Sequence, residues 1–201
     1  MLFRSPLKGL KITLDAGHGG SDLGTVGLEL KVKEKDLNLA VTRALKNELE
    51  KAGARVTMTR NSDQELTPEG ASATDELQAR VDVGERAGSQ LFLSIHHNAR
   101  ADVRQGRVSH GTHIYYYHPQ SRGLAQAIAR PLAEAIGESS WMHVWRSFHV
   151  TRQTRMPAVL VEVNFLSNPK LEKGMLRHRD FPVRAAQGIR RGVERFLRSD
   201  L

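Results

Sequence analysis

The chain has 201 residues, 39% of them hydrophobic, which is enough for one domain with a buried core, and no stretch approaches the roughly 20 apolar residues of a membrane-spanning helix. It contains no cysteine, which excludes disulfides, thiolate zinc sites and cysteine nucleophiles, whereas nine histidines leave room for a metal site built from His, Asp and Glu. The net charge of +8 favours a polyanionic partner, namely nucleic acid, an acidic membrane or an anionic cell envelope, without choosing among them.

The first third of the chain alternates between strand and helix patterns. Apolar Ile12–Leu14 predicts a short buried strand, and a glycine-rich loop follows it. Apolar residues recur at helical spacing from Glu34 to Lys51, where Gly53 ends the helix, and Arg55–Thr59 predicts a second strand. The polar stretch from residue 61 to residue 73 predicts a loop.

The middle of the chain repeats this alternation. A helix is predicted over Thr74–Ala87, with Thr74 or Asp75 as its N-cap, and the apolar Leu91–Ile95 predicts a central strand. After a polar loop, residues 111–117 predict a fourth strand. Residues 121–136 then predict a helix with one apolar stripe, for which Ser121 is a candidate cap.

The last third contains the least regular pattern. Residues 138–156 are ambiguous, with Ser147–Thr151 as a candidate edge strand, whereas Pro157–Val163 is a strongly apolar strand. A loop ending near Asp180 leads to a closing helix over Phe181–Leu197. The whole pattern predicts an α/β fold: a single domain over residues 1–201, with a core from about residue 8 to residue 199, and a mainly parallel twisted sheet with helices on both faces.

His18 stands in the glycine-rich loop that follows the first strand. A phosphate-binding loop does not fit, because a dinucleotide fingerprint needs glycine or alanine where Asp22 stands, and no Gly-Lys-Ser/Thr triplet follows. Two interpretations remain for the histidine alone: an ordinary turn residue, or a metal ligand at the carboxyl end of a strand. Partners elsewhere in the chain favour the second.

Three further ionisable residues occupy positions that a site at the strand ends requires. Glu34 begins the first long helix, His96 follows the third strand, and Glu162 interrupts the last apolar strand. Each has an ordinary alternative, such as an acid favoured by the helix dipole for Glu34. Glu162 is the hardest to dismiss, because a buried carboxylate is costly unless it is paired or bound to metal. Together with His18 they supply two histidines, one carboxylate ligand and a spare carboxylate, which is typical of a catalytic zinc site.

Six stretches follow one another along the chain: LDAGHGGSDLG, EKDLNLAV, GARVTMTRNSD, LFLSIHHNA, GTHIYYY and FHVTRQTRMPAVLVEVNFLSNP. In this order, over about residues 11–197, they resemble the zinc-dependent N-acetylmuramoyl-L-alanine amidases of the Amidase_3 type. The resemblance implies that His18, Glu34 and His96 bind one zinc ion and that Glu162 is catalytic. It also implies hydrolysis of the amide bond between N-acetylmuramic acid and L-alanine in peptidoglycan, by an autolysin or a lysin.

The chain departs from the family pattern in two places. Val163 and Asn164 stand before Phe-Leu-Ser-Asn where the family usually has Gly, and Gln90 replaces an aspartate before the third strand. No segment comparable to the autoinhibitory helix of some relatives is recognisable, so the site is expected to be open.

The expected partner is peptidoglycan, with no nucleic acid, no membrane insertion and a monomeric state. The start, MLFRSPLKGL, lacks the long apolar core of a signal peptide, so either the protein is not exported by that route or the sequence begins after the signal. The expected location is the cell envelope or the outside of the cell, with release from the cytoplasm, as for a phage lysin, as one route to it.

Two other function classes stay open at this point. One is a non-catalytic cell-wall-binding module on the same fold, and the other is a nucleic-acid-binding protein suggested by the charge. Trp141, His143 and Trp145 are candidates either for stacking on sugar rings or for local packing. His113 is a candidate for facing the metal, with structural packing as the alternative.

Overall fold

A six-stranded sheet forms the centre of the molecule in the computed structural model, which describes residues 5–99 and 109–199. The strand order is β2-β1-β3-β6-β4-β5, and every neighbouring pair is parallel except β4 and β6. The predicted α/β fold with a mainly parallel sheet is therefore confirmed. The strands are β1 Lys11–Ala16, β2 Arg55–Met58, β3 Leu91–Asn98, β4 Thr112–Tyr116, β5 Trp141–Trp145 and β6 Ala158–Phe165.

Helices cover both faces of this sheet. Three helices, α1, α3 and α6, pack together over one face, called here the helix-rich face, and bury Leu14, Ile95 and Val161 beneath them. The other face, called the cleft face, carries α2 and α4 over a smaller core that includes Phe92 and Leu160. The helices are α1 Glu34–Lys51, α2 Ala73–Arg86, α3 Arg122–Ile136, α4 His149–Gln153, α5 Pro169–Arg177 and α6 Phe181–Ser199.

The strand directions decide where a site can form. Because β1, β3 and β6 are parallel neighbours, their carboxyl ends meet at one edge of the sheet. His18 follows β1, His96 lies near the end of β3, and Glu162 pairs with His96 from the adjacent strand. The fold thus brings three of the four predicted residues to the same edge before any side-chain contact is considered.

Two predicted helix caps are wrong. Helix α2 begins at Ala73, and its cap is Ser72, whose hydroxyl accepts a hydrogen bond from the Asp75 amide at 3.1 Å while the Asp75 carboxylate accepts one from the Ser72 amide at 3.2 Å. The Ser121 hydroxyl does not cap α3; it accepts from the amide of Ala158 at 2.9 Å and so fastens the start of β6.

The ambiguous region between α3 and β6 differs from its prediction. Its edge strand is β5 at Trp141–Trp145, whereas Ser147–Thr151 leads into the short helix α4. Pairing with β4 decides this, because a five-residue pattern alone does not distinguish a strand from a turn of helix.

The loop predicted before Asp180 contains helix α5. Asn168 caps it by accepting from the amides of Lys170 and Leu171, and Pro169 occupies its first turn. The loop predicted at residues 99–110 lies mostly outside the described residues.

Candidate metal centre

The loop after β1 turns sharply enough to aim His18 back at the sheet. His18 has a φ of 62°, in the left-handed region that residues other than glycine seldom adopt. A side chain at Gly17 would collide with the ring of His96, and one at Gly24 would meet His18 at 2.6 Å and Glu34 at 2.7 Å. The glycines therefore allow the loop to close tightly around the three candidate ligands.

Three predicted ligands, His18, Glu34 and His96, converge on one point. One ligand atom from each lies within 4.8 Å of the other two. Glu34 Oε1 is 3.2 Å from His18 Nε2 and 3.0 Å from His96 Nδ1. Two imidazoles and one carboxylate are ligand types that zinc accepts in catalytic sites.

The electrostatics of this group are those of a cation site. Burial alone lowers the pKa of His18, but hydrogen bonds and charge from Glu34 and Asp22 outweigh it and raise the pKa to about 9. Burial raises the pKa of Glu34, but the hydrogen bonds and charges of His18 and His96 prevail and hold it well below its usual range. The pocket favours positive charge beside the Glu34 carboxylate, whether the charge is a proton or a metal ion.

Further side chains form hydrogen bonds to the candidate ligands and orient them. His18 Nδ1 donates to Asp22 Oδ2 at 2.7 Å, which leaves Nε2 facing Glu34. Asn38 Nδ2 donates to Glu34 Oε1 at 3.3 Å, and Asn38 Oδ1 accepts from His97 Nδ1 at 2.8 Å. Such partners fix the ring nitrogen or carboxylate oxygen that a metal ligand presents.

Two buried arginines hold the backbone of the His18 loop. Arg60 donates from Nε to the Ala16 carbonyl at 2.8 Å and from Nη2 to the Gly17 carbonyl at 3.0 Å. Arg80 donates from Nη1 to the same Ala16 carbonyl at 2.9 Å and from Nη2 to the His18 carbonyl at 3.0 Å. The planar guanidinium forks thus fix the strained turn that positions His18.

Asp15 completes this support. Arg80 Nη1 donates to Asp15 Oδ1 at 2.9 Å, and the hydroxyls of Ser94 and Thr59 donate to the same carboxylate. Burial raises the pKa of Asp15, but the Arg80 charge and the hydroxyl bonds outweigh it and lower the pKa. Asp15 thus supports the loop through Arg80, whereas the carboxylate that contacts the His18 ring is Asp22.

Replacing Arg80 with methionine is expected to lower the free energy of unfolding by about 3–5 kcal/mol, because it leaves the buried Asp15 carboxylate without its cation. Urea denaturation measures this change. The matched control is Arg86→Met on the same helix, where the side chain is exposed and a change within about 0.5 kcal/mol is expected. Similar losses in both variants would contradict the assigned role of Arg80.

Glu162 lies beside the three candidate ligands and does not belong to their group. It pairs with His96 across β3 and β6, so the two side chains share the cleft face. Among the described residues, its buried Oε2 has no hydrogen-bond partner. Burial, reinforced by the charge of Glu34 and opposed by His96 and His18, raises the pKa of Glu162 to about 7. A carboxyl group in this state can accept and release a proton near neutral pH.

A cleft of about 1180 Å³ contains the group, including Glu162. Its walls come from the His18 loop, residues 65–73, the start of α2, and the segment from Phe148 to Val150. The structure places His113 on the cleft face beside Glu162, but puts Trp141, His143 and Trp145 on the other face.

The four side chains predicted from the sequence lie together in the structure, whereas the residues that support them were not among the predictions. Only Asn38 had a readable signal, because it lies one helical turn after Glu34. The contacts of Asp22, Arg60 and Arg80 depend on how distant segments meet.

Comparison with known proteins extends these observations. A family model described as N-acetylmuramoyl-L-alanine amidase matches residues 12–195. The germination-specific N-acetylmuramoyl-L-alanine amidase of Bacillus subtilis (strain 168) is 32% identical over 203 residues, covering 96% of this chain and 81% of the relative. The probable cell wall amidase LytH of Staphylococcus aureus is 33% identical over 167 residues, covering 83% of this chain. The chain spans about half of LytH, since the match covers 51% of that protein.

Solved structures resemble the whole fold. The catalytic domain of CwlV, an N-acetylmuramoyl-L-alanine amidase from Bacillus (Paenibacillus) polymyxa var. colistinus, superposes with a TM-score of 0.80 at 35% identity, covering 94% of this chain and 98% of that one. The CwlD amidase of Clostridioides difficile, solved with the GerS lipoprotein, gives a TM-score of 0.82 at 28% identity, covering 96% and 100%.

Proposed function

Since this chain belongs to the N-acetylmuramoyl-L-alanine amidase family, we propose that it hydrolyses the amide bond between N-acetylmuramic acid and L-alanine in peptidoglycan, with one zinc ion held by His18, Glu34 and His96. The observation that carries the proposal is the convergence of three candidate ligand atoms within 4.8 Å of one another, beside the half-buried Glu162 with its buried, unpartnered Oε2. An autolysin or a lysin would carry out this reaction.

The residues fit a zinc ion by their chemistry. Two imidazoles and one carboxylate are a donor set that would hold a divalent zinc ion and leave part of its charge uncompensated. The same three residues line the cleft. A bound zinc ion supplies Lewis acidity, which lowers the pKa of water and polarises a carbonyl oxygen. Because the chain has no cysteine, oxygen and nitrogen donors such as these are the ligand types that it offers to zinc.

Glu162 provides the proton transfer in this mechanism. Its unpartnered Oε2 takes a proton from the attacking water and delivers it to the nitrogen of the departing L-alanine amine. Asp22 and Asn38 meanwhile keep His18 and Glu34 in place.

Removing the metal is expected to abolish activity reversibly. A chelated, metal-free sample should release almost no stem peptides from purified peptidoglycan, and one equivalent of zinc should restore the release. Metal analysis measures the zinc content, and mass spectrometry of the products measures the release of stem peptides before and after zinc is added. A metal-free sample that digests peptidoglycan at the full rate would refute the zinc proposal, while products cut elsewhere would indicate a different amide-cleaving enzyme.

A non-catalytic wall-binding module on the same fold is the second candidate. The convergence of all four residues disfavours it, because a module that only binds needs no unpartnered buried carboxylate beside a metal site. The basic charge fits an anionic wall and also fits nucleic acid. In the described part of the chain, no helix has the length and apolar character to span a membrane. A monomeric state and a location in the cell envelope stay predictions.

A further inference from the structure

Among the residues that the structure describes, no helix covers the cleft face beyond Glu162. Glu162 pairs with His96 on one side and with His113 on the other, and His113 pairs in turn with Met142 on the edge strand. Paired residues of adjacent strands point to the same face, so the four side chains form one row. With neighbouring strands about 4.8 Å apart, the row runs roughly 15 Å from the metal ligand to the sheet edge.

The outer part of this row belongs to a partly exposed, mainly apolar surface, called here the β4–β5 strip. It consists of His113, Tyr115, Met142, Val144 and Phe148. Met142 is 43% exposed and Phe148 is 37% exposed. The rings of Tyr115 and Phe148 lie 5.2 Å apart. Phe148 also lines the cleft, so the strip and the cleft form a continuous surface.

The polar groups on and beside the strip are an imidazole, a phenol and an amide. His113 Nδ1 lies 3.3 Å from the Tyr115 hydroxyl and 3.5 Å from Asn98 Nδ2. None of the five strip residues is an acid, a lysine or an arginine. The opposite side of the cleft differs, since Asp22, Glu65 and Glu69 line it. The two sides of the metal centre therefore offer different chemistry to the two halves of a substrate.

We propose that the β4–β5 strip binds the glycan part of the substrate, with a sugar ring against Phe148 and Met142. This inference rests on the proposed function. A sugar ring presents C–H groups on its faces and neutral hydroxyls at its rim, which match an aromatic and thioether surface flanked by imidazole, phenol and amide groups. The stem peptide then extends into the acidic side of the cleft.

The exposed tryptophans are the competing platform for sugars. Trp145 is 58% exposed and lies 5.6 Å from the ring of Tyr117, while Trp141 lies beneath the guanidinium of Arg130 on α3. Both side chains are on the helix-rich face, because they alternate with Met142 along β5. Trp145 consequently provides a control on the same strand but on the opposite face.

The test measures the binding of two separate probes to the zinc-loaded protein by calorimetry. The probes are a peptide-free glycan fragment of N-acetylglucosamine and N-acetylmuramic acid, and a free stem peptide. Phe148→Ala and Met142→Ala should each weaken glycan binding about tenfold, as expected for the loss of one buried apolar contact, and leave peptide binding unchanged. Phe148→Tyr should retain glycan binding, and Trp145→Ala should bind both probes like the wild type.

Several results would overturn this inference. The inference fails if the wild type does not bind the glycan probe, or if both alanine variants bind it like the wild type. It also fails if Trp145→Ala, and not the strip variants, weakens glycan binding. If the strip variants lose only peptide binding, the strip binds the stem peptide. Met142 lies exposed on an edge strand, so its alanine variant should fold even if Phe148→Ala does not. Stem-peptide release from peptidoglycan by the wild type tests the proposed function separately. If the wild type releases stem peptides but the alanine variants bind glycan like the wild type, the proposed function stands and only the role of the strip is rejected.

Discussion

Glu162→Gln should lose most turnover and keep its zinc. The substitution preserves the size of the side chain but removes the group that accepts the proton, and loss of a general base typically costs about 10²–10⁴-fold in rate. Glu162 does not belong to the group of converging ligand atoms, so the three ligands are unchanged in the variant. The expected result is therefore stoichiometric zinc together with a rate of stem-peptide release lowered by that factor.

The control for this experiment is a variant that disturbs the same surface without touching the proton transfer. The control is Met142→Ala, because Met142 lies in the same row of side chains as Glu162 but two strands away from it. It should keep its zinc and change the Michaelis constant more than the turnover number. If Glu162→Gln is folded but metal-free, Glu162 is a ligand and the division of roles proposed above fails.

The central residues could be predicted because each lies after a strand, at a helix start or within an apolar strand, and because all four together suit one site. Glu162 is a carboxylate in an apolar strand, and His18 follows a buried strand inside a glycine-rich turn. Helix α1 begins at Glu34 and ends at Lys51, as its apolar spacing predicts. Strand ends and helix starts of this kind depend on short stretches of sequence, so local patterns are enough to predict where these elements end or begin.

The supporting shell could not be predicted, because its contacts join distant segments. Arg60 and Arg80 come from a strand end and from a helix, yet both donate to the carbonyl of Ala16. No spacing in the chain shows that these guanidinium groups meet. The orientation of Trp145 has the same origin: it follows from the register of β5 against β4, which a five-residue pattern does not fix.

The roles of the adjacent histidines depend on strand geometry. Strand β3 extends to Asn98, beyond the predicted end at Ile95, and its pairing with β6 shifts between His96 and Asn98. His96 faces the cleft, whereas His97 is buried with its ring 6.1 Å from Phe181 of α6. The alternation of a regular strand therefore persists far enough to separate the two side chains.

His96→Ala is expected to lose zinc and activity together, because the two remaining ligands hold zinc poorly. His97→Ala should keep stoichiometric zinc and a substantial share of activity. His97 supports Asn38, which donates to Glu34, so its loss should weaken zinc affinity by no more than about 100-fold. Zinc content, affinity by competition with a chelator, and peptidoglycan hydrolysis are measured side by side, with circular dichroism to verify folding. A metal-free, folded His97→Ala variant beside a zinc-loaded His96→Ala variant would transfer the third ligand to His97.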